Sequence, residues 1–466
     1  MTHQHIAFAK AVQPMAAAEG TCGQQQSTLA MRAEVLDTPL PHTTLRPLRE
    51  ALNRKRAIWQ RQQQWALAVV ARPRPVFASP LRWSIIVAFL IGVMMAARAA
   101  FAADGGPAAG ARWVSAYFVG WDAHTYPPSL IDFAQISHVL AFAVLPNMDG
   151  SLDTSLYLDD SQGPQVAKDL VRRAHLQARK ALVSVGGAGL HDRFAAAASA
   201  PVRPRFVSAL LALVAQWGYD GLDLDWEPIE EADYDDFLAL VREIRQAQPS
   251  IIITVALGSK RGGRALEPSY RRFCNVLAPL VDQVNVMTYG MAGPWQGWLS
   301  WHSSPLRGDG PSQPISVAQN AADLELAGVP RSKIGVGVGF YGQGWGPLVT
   351  GPRQNLAGNA NEVWMVFRDI SRKYMPWATA SYDRQADAAY LSVWPPRDGI
   401  SFISYENEAS IAAKIRFIRD TGLGGAFVWD LSSGHIPEAA RPDALLQAVG
   451  ALLDRGSRPS GSVSTP

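Results

Sequence analysis

Cysteine is scarce in this chain. Cys22 and Cys274 are the only two in 466 residues, so no disulfide framework can brace it. What folds must be held by an apolar core, and hydrophobic residues, at 48%, suffice to build one. Net charge is also scarce, formally +3, and it is unevenly placed. Residues 1–82 carry 11 Lys and Arg against 4 Asp and Glu, which leaves 32 against 36 for the rest. A nucleic-acid-binding domain would carry its basic patch on the folded part. Here the excess precedes it, so no nucleic-acid partner is expected. No Gly-rich phosphate fingerprint follows the first predicted strand, which argues against a dinucleotide-binding sheet.

Long apolar runs are equally lacking. The longest, Ser84 to Ala97 (SIIVAFLIGVMMAA), has 14 residues, short of the roughly 20 that span a membrane. Arg82 precedes it, and Ala100-Phe101-Ala102 follows as a small-x-small cleavage pattern. A basic flank, a short apolar stretch and such a site describe a signal peptide, here 83–103. The alternative is an uncleaved anchor oriented by its positive side. Residues 1–82 are read as a basic, disordered extension, or as sequence upstream of a true start near 76–81. Both readings put residues 104–466 outside the cytoplasm, with 104–454 as a secreted or membrane-anchored catalytic domain and a monomer. The stretch 455–466 (GSRPSGSVSTP after Arg455) is read as a disordered tail.

Within 104–454, short β-rich runs alternate with helical stretches. The runs are 115–121, 136–145, 181–187, 221–227, 251–259, 283–290, 334–342 and 425–431. Between them lie helical candidates at 165–179 and 233–247, the latter with Phe237, Leu238, Leu240, Val241 and Ile244 on one face. Eight strands alternating with helices predict an α/β fold, a (β/α)8 TIM barrel, with an open doubly wound sheet as the competitor. The connection after the seventh run is too long for a barrel loop. It is read as a small α+β insertion, about 344–405, rich in Trp and Tyr.

The fourth run carries the chemistry: Asp220-Gly-Leu-Asp223-Leu-Asp225-Trp226-Glu227. Alternation on a strand puts Asp223, Asp225 and Glu227 on one face and Leu222, Leu224 and Trp226 on the other, toward the helices. Burial and mutual repulsion of three carboxyl groups raise at least one pKa. That keeps an acid protonated near neutral pH. Glu227 is last in the row, at the C-terminal mouth where barrel sites lie. A metal site would want His in the motif, and none is there. No cofactor or metal is expected. A pair two residues apart spans about 6.6 Å of rise, which fits a nucleophile as well as an orienting residue.

The motif DGLDLDWE resembles the D-x-x-D-x-D-x-E signature of the family 18 glycoside hydrolases, the chitinase family. Further matches fall in order over roughly 112–450. Ser184-Val185-Gly186-Gly187 is similar to the family's S-x-G-G. Met287-Thr288-Tyr289 resembles M-x-Y, Phe340-Tyr341-Gly342 resembles F-Y-G, and Trp429 stands where the family keeps a Trp on the eighth strand. The resemblance implies cleavage of β-1,4-linked N-acetylglucosamine polymers, chitin or chito-oligosaccharides, by a retaining, substrate-assisted route. It implies that Glu227 is the general acid/base, that Asp225 holds the substrate's acetamido N–H, and that Asp223 shares a proton with Asp225. It also implies that Tyr289 bonds the acetamido oxygen and that Trp429 floors the reacting sugar. Asp220, Ser184, Gly186 and Gly187 are expected to be structural.

Tyr117, Trp121, Trp226, Met287, Trp295, Trp298, Tyr341 and Trp345 join Trp429 as candidate sugar contacts. One position departs from the family: Gly290 stands where an Asp that touches the sugar is common, and nearby Met291, Trp295, Trp298 and Trp301 could supply contact instead. Two other readings stay open. One is an endo-N-acetylglucosaminidase acting on N-glycans or peptidoglycan. The other is a non-catalytic lectin on the same fold, against which Glu227 speaks, because such relatives lack the acid.

Overall fold

The computed structural model describes residues 112–453, apart from 261–264, 296, 309–314 and 357–360. The expectations for 1–82, 83–103 and 455–466 lie outside the described residues. The chain enters on β1 (Trp113–Val119) and β2 (His138–Pro146), on whose end the two-residue β3 (Leu152–Asp153) pairs antiparallel. Helix α1 (Gln162–Leu176) leads to β4 (Lys180–Ala188), then α2 (His191–Ala198) and α3 (Arg203–Trp217) to β5 (Gly221–Glu227). Next come α4 (Tyr234–Ala247), β6 (Ile252–Gly258), α5 (Pro268–Leu277), β7 (Gln283–Met287), α6 (Val317–Leu326) and β8 (Ile334–Gly339). An insertion follows, with β9 (Tyr341–Gly346), β10 (Asn361–Val366), α7 (Phe367–Lys373), β11 (Thr379–Asp383), β12 (Ala388–Arg397) and β13 (Ile400–Tyr405). Helix α8 (Glu408–Thr421) and β14 (Gly425–Trp429) return to the barrel, and α9 (Leu431–Gly434) and α10 (Ala444–Gly450) end it.

Eight parallel strands close a ring in the order β1-β2-β4-β5-β6-β7-β8-β14, with β14 pairing back onto β1. This is the expected (β/α)8 barrel, and each predicted run lies within a few residues of a strand. The ring is stable because alternation serves two cores at once. On β1, Val114, Ala116 and Phe118 enter the layer between strands and helices, while Tyr117 and Val119 point into the lumen. On the helix side, α4 buries the five apolar residues that its period picks out, Phe237, Leu238, Leu240, Val241 and Ile244. Each such side chain contributes roughly 1.5–3 kcal/mol on burial. Among the described residues no single helix is long and apolar enough to cross a membrane.

The seventh predicted run, 334–342, divides. Strand β8 stops at Gly339, and Tyr341 opens β9 of the insertion. The cause is Phe340, whose N–H donates to Trp429 O at 2.7 Å while its carbonyl accepts from Phe367 N at 2.9 Å. Those bonds tie the chain to β14 and α7 and turn it out of the barrel. The insertion is a five-stranded antiparallel sheet, ordered β10-β9-β13-β12-β11, with α7 packed on one face.

Candidate active site

Strand β5 delivers the acid row to the lumen as its alternation requires. Asp223, Asp225 and Glu227 are all buried, and Leu222, Leu224 and Trp226 lie in the helix layer. Deepest is Asp223. Its carboxylate accepts from Tyr117 Oη (2.8 Å), Ser184 Oγ (2.9 Å) and Thr254 Oγ1 (2.6 Å), donors from β1, β4 and β6. Burial lifts its pKa to about 6, against the pull of those three bonds. Asp225 has no such company. Among the described residues its buried Oδ1 has no hydrogen-bond partner. Burial, then the charge of Glu227, then that of Asp223, raise its pKa well above the carboxylate range. Glu227 stands at the mouth, and burial pushes it up to about 7. Asp225 and Glu227 share a hydrogen bond, which requires a proton between them. The pair titrates as a unit. The row is therefore a proton store at the C-terminal end of a barrel.

Why glycine follows Ser184 is visible in the same place. Gly186 has φ +106°, and a Cβ there would stand 2.3 Å from the backbone oxygen of Asp225. Only a residue without a side chain lets β4 approach the acid row so closely.

The lumen above the row is aromatic. Trp429 crosses Phe142 edge-to-face at 4.7 Å and Tyr117 at 5.2 Å, with Trp121 at 6.4 Å. Opposite, Tyr289 lies 5.7 Å from Tyr341 and 5.8 Å from Phe427. Burial raises the Tyr289 hydroxyl well above its usual range, so it stays a neutral donor. Thr288 fixes it. The Thr288 Oγ1 donates to Gly337 O at 3.0 Å and accepts from Gly337 N at 2.9 Å.

The sequence profile of glycosyl hydrolases family 18 matches residues 114–434, the barrel and its insertion together. The chain belongs to this family. Among its relatives is chitinase A1 of Niallia circulans, 29% identical over 290 residues, which are 54% of this chain and 40% of that protein. Chitinase B of Serratia marcescens is 26% identical over 351 residues, 59% of this chain and 70% of the relative. The chain thus spans less than half the length of the first. A structure of the group IV chitinase of Ostrinia furnacalis in complex with allosamidin shares the fold, with a TM-score of 0.63 at 22% identity, covering 73% of this chain and 98% of that one.

The structure gathers most of the expected residues of this family 18 member at one mouth: Asp223, Asp225, Glu227, Tyr289, Trp429, Trp121, Met287 and Tyr341. Trp295 stays partly exposed on the loop after β7. Asp220 sits at the other end of β5, bonded to Ala181 N (2.9 Å), Lys180 Nζ (3.0 Å) and His175 Nε2 (2.9 Å). Four expected sugar contacts are corrected. Trp226 faces the helices and stacks on Phe194 at 4.7 Å, because it alternates with the acids. Trp345, on β9 of the insertion sheet, turns its ring into the main core and is fully buried. Trp298 packs into the main core, its ring edge-to-face with Trp295 at 4.5 Å. Tyr117 spends its hydroxyl on Asp223 and supports the row from below. Trp301, weighed for stacking beside Gly290, is also buried, with Arg353 over its ring at 4.8 Å.

Three site residues escape the sequence. Phe142 lines the lumen, and its alternation with Leu140 on β2 was a signal that could have found it. Thr254 reaches Asp223 from the next strand, where its register partner is Asp223 itself. Tyr157 stacks on Phe142 at 6.2 Å from a left-handed turn (φ 61°) that no motif announces.

Proposed function

We propose that the chain hydrolyses β-1,4-linked N-acetylglucosamine polymers with retention, using Glu227 as general acid and base. The observation that carries this is the row itself. A protonated carboxyl pair stands at the mouth, and Asp225 Oδ1 is buried without a donor. An acetamido N–H is a donor of the right size and polarity. Bound there, the 2-acetamido group turns its carbonyl oxygen onto the anomeric carbon. Glu227 gives its proton to the glycosidic oxygen as that C–O bond breaks, and the carbonyl oxygen forms a new bond to the same carbon, leaving an oxazolinium ion. The proton that Asp225 and Glu227 shared is the one that leaves on the glycosidic oxygen, so Asp225 is then charged and holds the positive nitrogen. Asp223, deeper and hydrogen-bonded three times, takes up that shift in charge. Tyr289 donates to the carbonyl oxygen and aligns it. Water then attacks the anomeric carbon from the side the leaving group vacated, Glu227 takes its proton, and the acetamide is restored. Trp429 and Phe142 give the sugar an apolar floor.

The chitinase names of the relatives support this substrate class. An aromatic-lined mouth favours a linear polymer over the branched glycan or the peptidoglycan reading. The apolar run 84–97 with its cleavage pattern supports action outside the cytoplasm, with residues 104–454 as the released or anchored part. A product time course on defined chito-oligosaccharides tests the proposal. The expected result is shortening with β-anomers formed first. Binding without any product would leave a lectin, and α-anomers first would exclude the acetamide as nucleophile.

A further inference from the structure

Among the side chains that bind the loop carrying Gly290 to the insertion, one has an unusual deficit. Gln343 on β9 is wholly buried, and its Nε2 donates to Ala292 O at 2.7 Å and to Glu362 Oε1 at 2.5 Å. Among the described residues its Oε1 has no hydrogen-bond partner. A buried acceptor left unpaired is costly, so such a group marks a place where a donor belongs. Strands β9 and β10 pair in a register that sets Val366 opposite Tyr341, Trp364 opposite Gln343 and Glu362 opposite Trp345. Opposed residues share a face, so Tyr341, Gln343 and Trp345 lie on one side of the sheet with Val366, Trp364 and Glu362; Gln343 and Trp345 are buried there, and Tyr341, Trp364 and Glu362 form the partly exposed surface beside them. That surface begins at the catalytic mouth, where the Tyr341 ring lies 5.7 Å from Tyr289. It continues to Trp364, 5.4 Å from Tyr341, and then to Glu362, two residues or about 7 Å further along the strand. Strand β10 is the sheet's edge, and Glu362 and Trp364 are both partly exposed. The Trp364 indole donates to Glu362, which fixes the ring and the carboxyl together.

We propose that Glu362, aimed by Gln343 and Trp364, is a sugar-binding residue that grips a hydroxyl of the N-acetylglucosamine unit next to the reacting one, with Trp364 stacking on that unit. This rests on the proposed function and names where the grip absent at Gly290 is supplied. Gly290 itself has φ +65°, and its N–H donates to Ser303 Oγ at 3.2 Å, so the loop turns in against its own chain and offers the sugar no side chain. Burial raises the Glu362 carboxyl, which the bonds from Gln343 and Trp364 partly offset. A hydroxyl donor replaces lost water there without adding charge.

The test is steady-state kinetics of Glu362→Ala, Glu362→Gln and Trp364→Phe in the full chain, on a length series of chito-oligosaccharides. A charge-assisted bond predicts KM about 10-fold higher for Glu362→Ala on the longer substrates, with kcat within about 2-fold. Glu362→Gln, which keeps a neutral acceptor, should lose less, and the shortest substrate cleaved should be spared. Unchanged KM for both Glu362 variants would overturn the proposal, as would an equal rise at every length, which marks a loop displaced as a whole. If Glu362→Ala fails to fold, Trp364→Phe decides alone, since it removes only the indole donor and shrinks the ring. If the wild type turns nothing over, calorimetric Kd on the same series separates the two readings. A length-dependent loss of binding keeps the subsite while hydrolysis falls, and no binding by wild type sinks both.

Discussion

At the barrel mouth three carboxyl groups are buried with no cation bridged to them among the described residues, whereas in the seam between the loop after β7 and the insertion the buried Glu406 and the half-buried Asp383 each have one. There Lys414 pairs with Glu406 and donates also to Ser304 O (2.8 Å) and Ser304 Oγ (2.9 Å). Nearby, Asp383 takes His302 Nε2 at 3.1 Å and Arg353 Nη1 at 2.5 Å. Burial pushes the Asp383 carboxyl up, but those bonds outweigh it and hold it well below the usual range. Burial lifts Asp223, Asp225 and Glu227 instead, and nothing offsets it fully. Two kinds of buried charge are thus distinguishable by whether their bonds are complete. The paired kind is structure. The kind left one partner short is poised to act on something that arrives. Ser404, His302 and Asp383 even align as serine, histidine and acid, at 3.4 and 3.1 Å, yet Ser404 and His302 are sealed in the core. Alignment without access is packing.

The contrast breaks most sharply at Glu227. Replacing it by Gln keeps the shape and removes the proton, so turnover should fall by about 10²–10⁴-fold while oligosaccharide binding persists. Turnover rates and a binding titration on the same preparation check this, and a variant with wild-type turnover would end the role given to Glu227. The paired region should answer in the opposite currency. Lys414→Met strands Glu406 in the core, at a cost of about 3–5 kcal/mol in unfolding free energy. Adding Glu406→Leu should recover most of that, because an apolar pair needs no partner. A Lys414→Met protein as stable as wild type would show that the pair is not what holds the seam.

How far the sequence foretold this contrast follows from range. The acid row was legible because one strand carries it, and a period of two needs no knowledge of the rest of the chain. The barrel was legible for the same reason, eight times over. The paired region was not, because Lys414 meets Ser304 and His302 meets Asp383 across 110 and 81 residues, and no local pattern encodes such a meeting. The tryptophans show the limit most clearly. Trp226, Trp298, Trp301 and Trp345 looked like sugar contacts from their place at strand ends and on the rim, and all four fill cores. A ring large enough to stack on sugar is also large enough to be wanted inside. Only the tertiary neighbours decide, and Trp429 and Trp121 alone among the expected tryptophans found the lumen.

A smaller effect sharpens the comparison through pH. The folded Glu227 holds a pKa of about 7 against an ordinary 4.5. Between those values the native state keeps a proton that the unfolded chain has released, so this group's contribution to stability falls as pH rises from about 4.5 to 7 and stays low above. Glu227→Gln should therefore be the more stable protein at pH 8, by on the order of 1–3 kcal/mol, and should match wild type near pH 4. Thermal midpoints at the two pH values check it. Equal gaps at both would mean that the acid is not held protonated by its burial. In the same window wild-type kcat/KM should decline on the alkaline side of about pH 7, as the donor ionises.

The smallest effect tests the alternation itself. Trp226 adjoins Glu227 in the chain but points into the helix layer, 4.7 Å from Phe194 and 6.0 Å from Phe237. Trp226→Phe leaves an aromatic ring in that stack and gives up part of its volume, at a cost of about 1 kcal/mol. KM should stay within about 2-fold of wild type, since no substrate reaches that face. A protein with an unchanged thermal midpoint but a raised KM would place the indole in the cleft. It would also turn the row around, because the strand cannot show Trp226 to the substrate without hiding Glu227 from it.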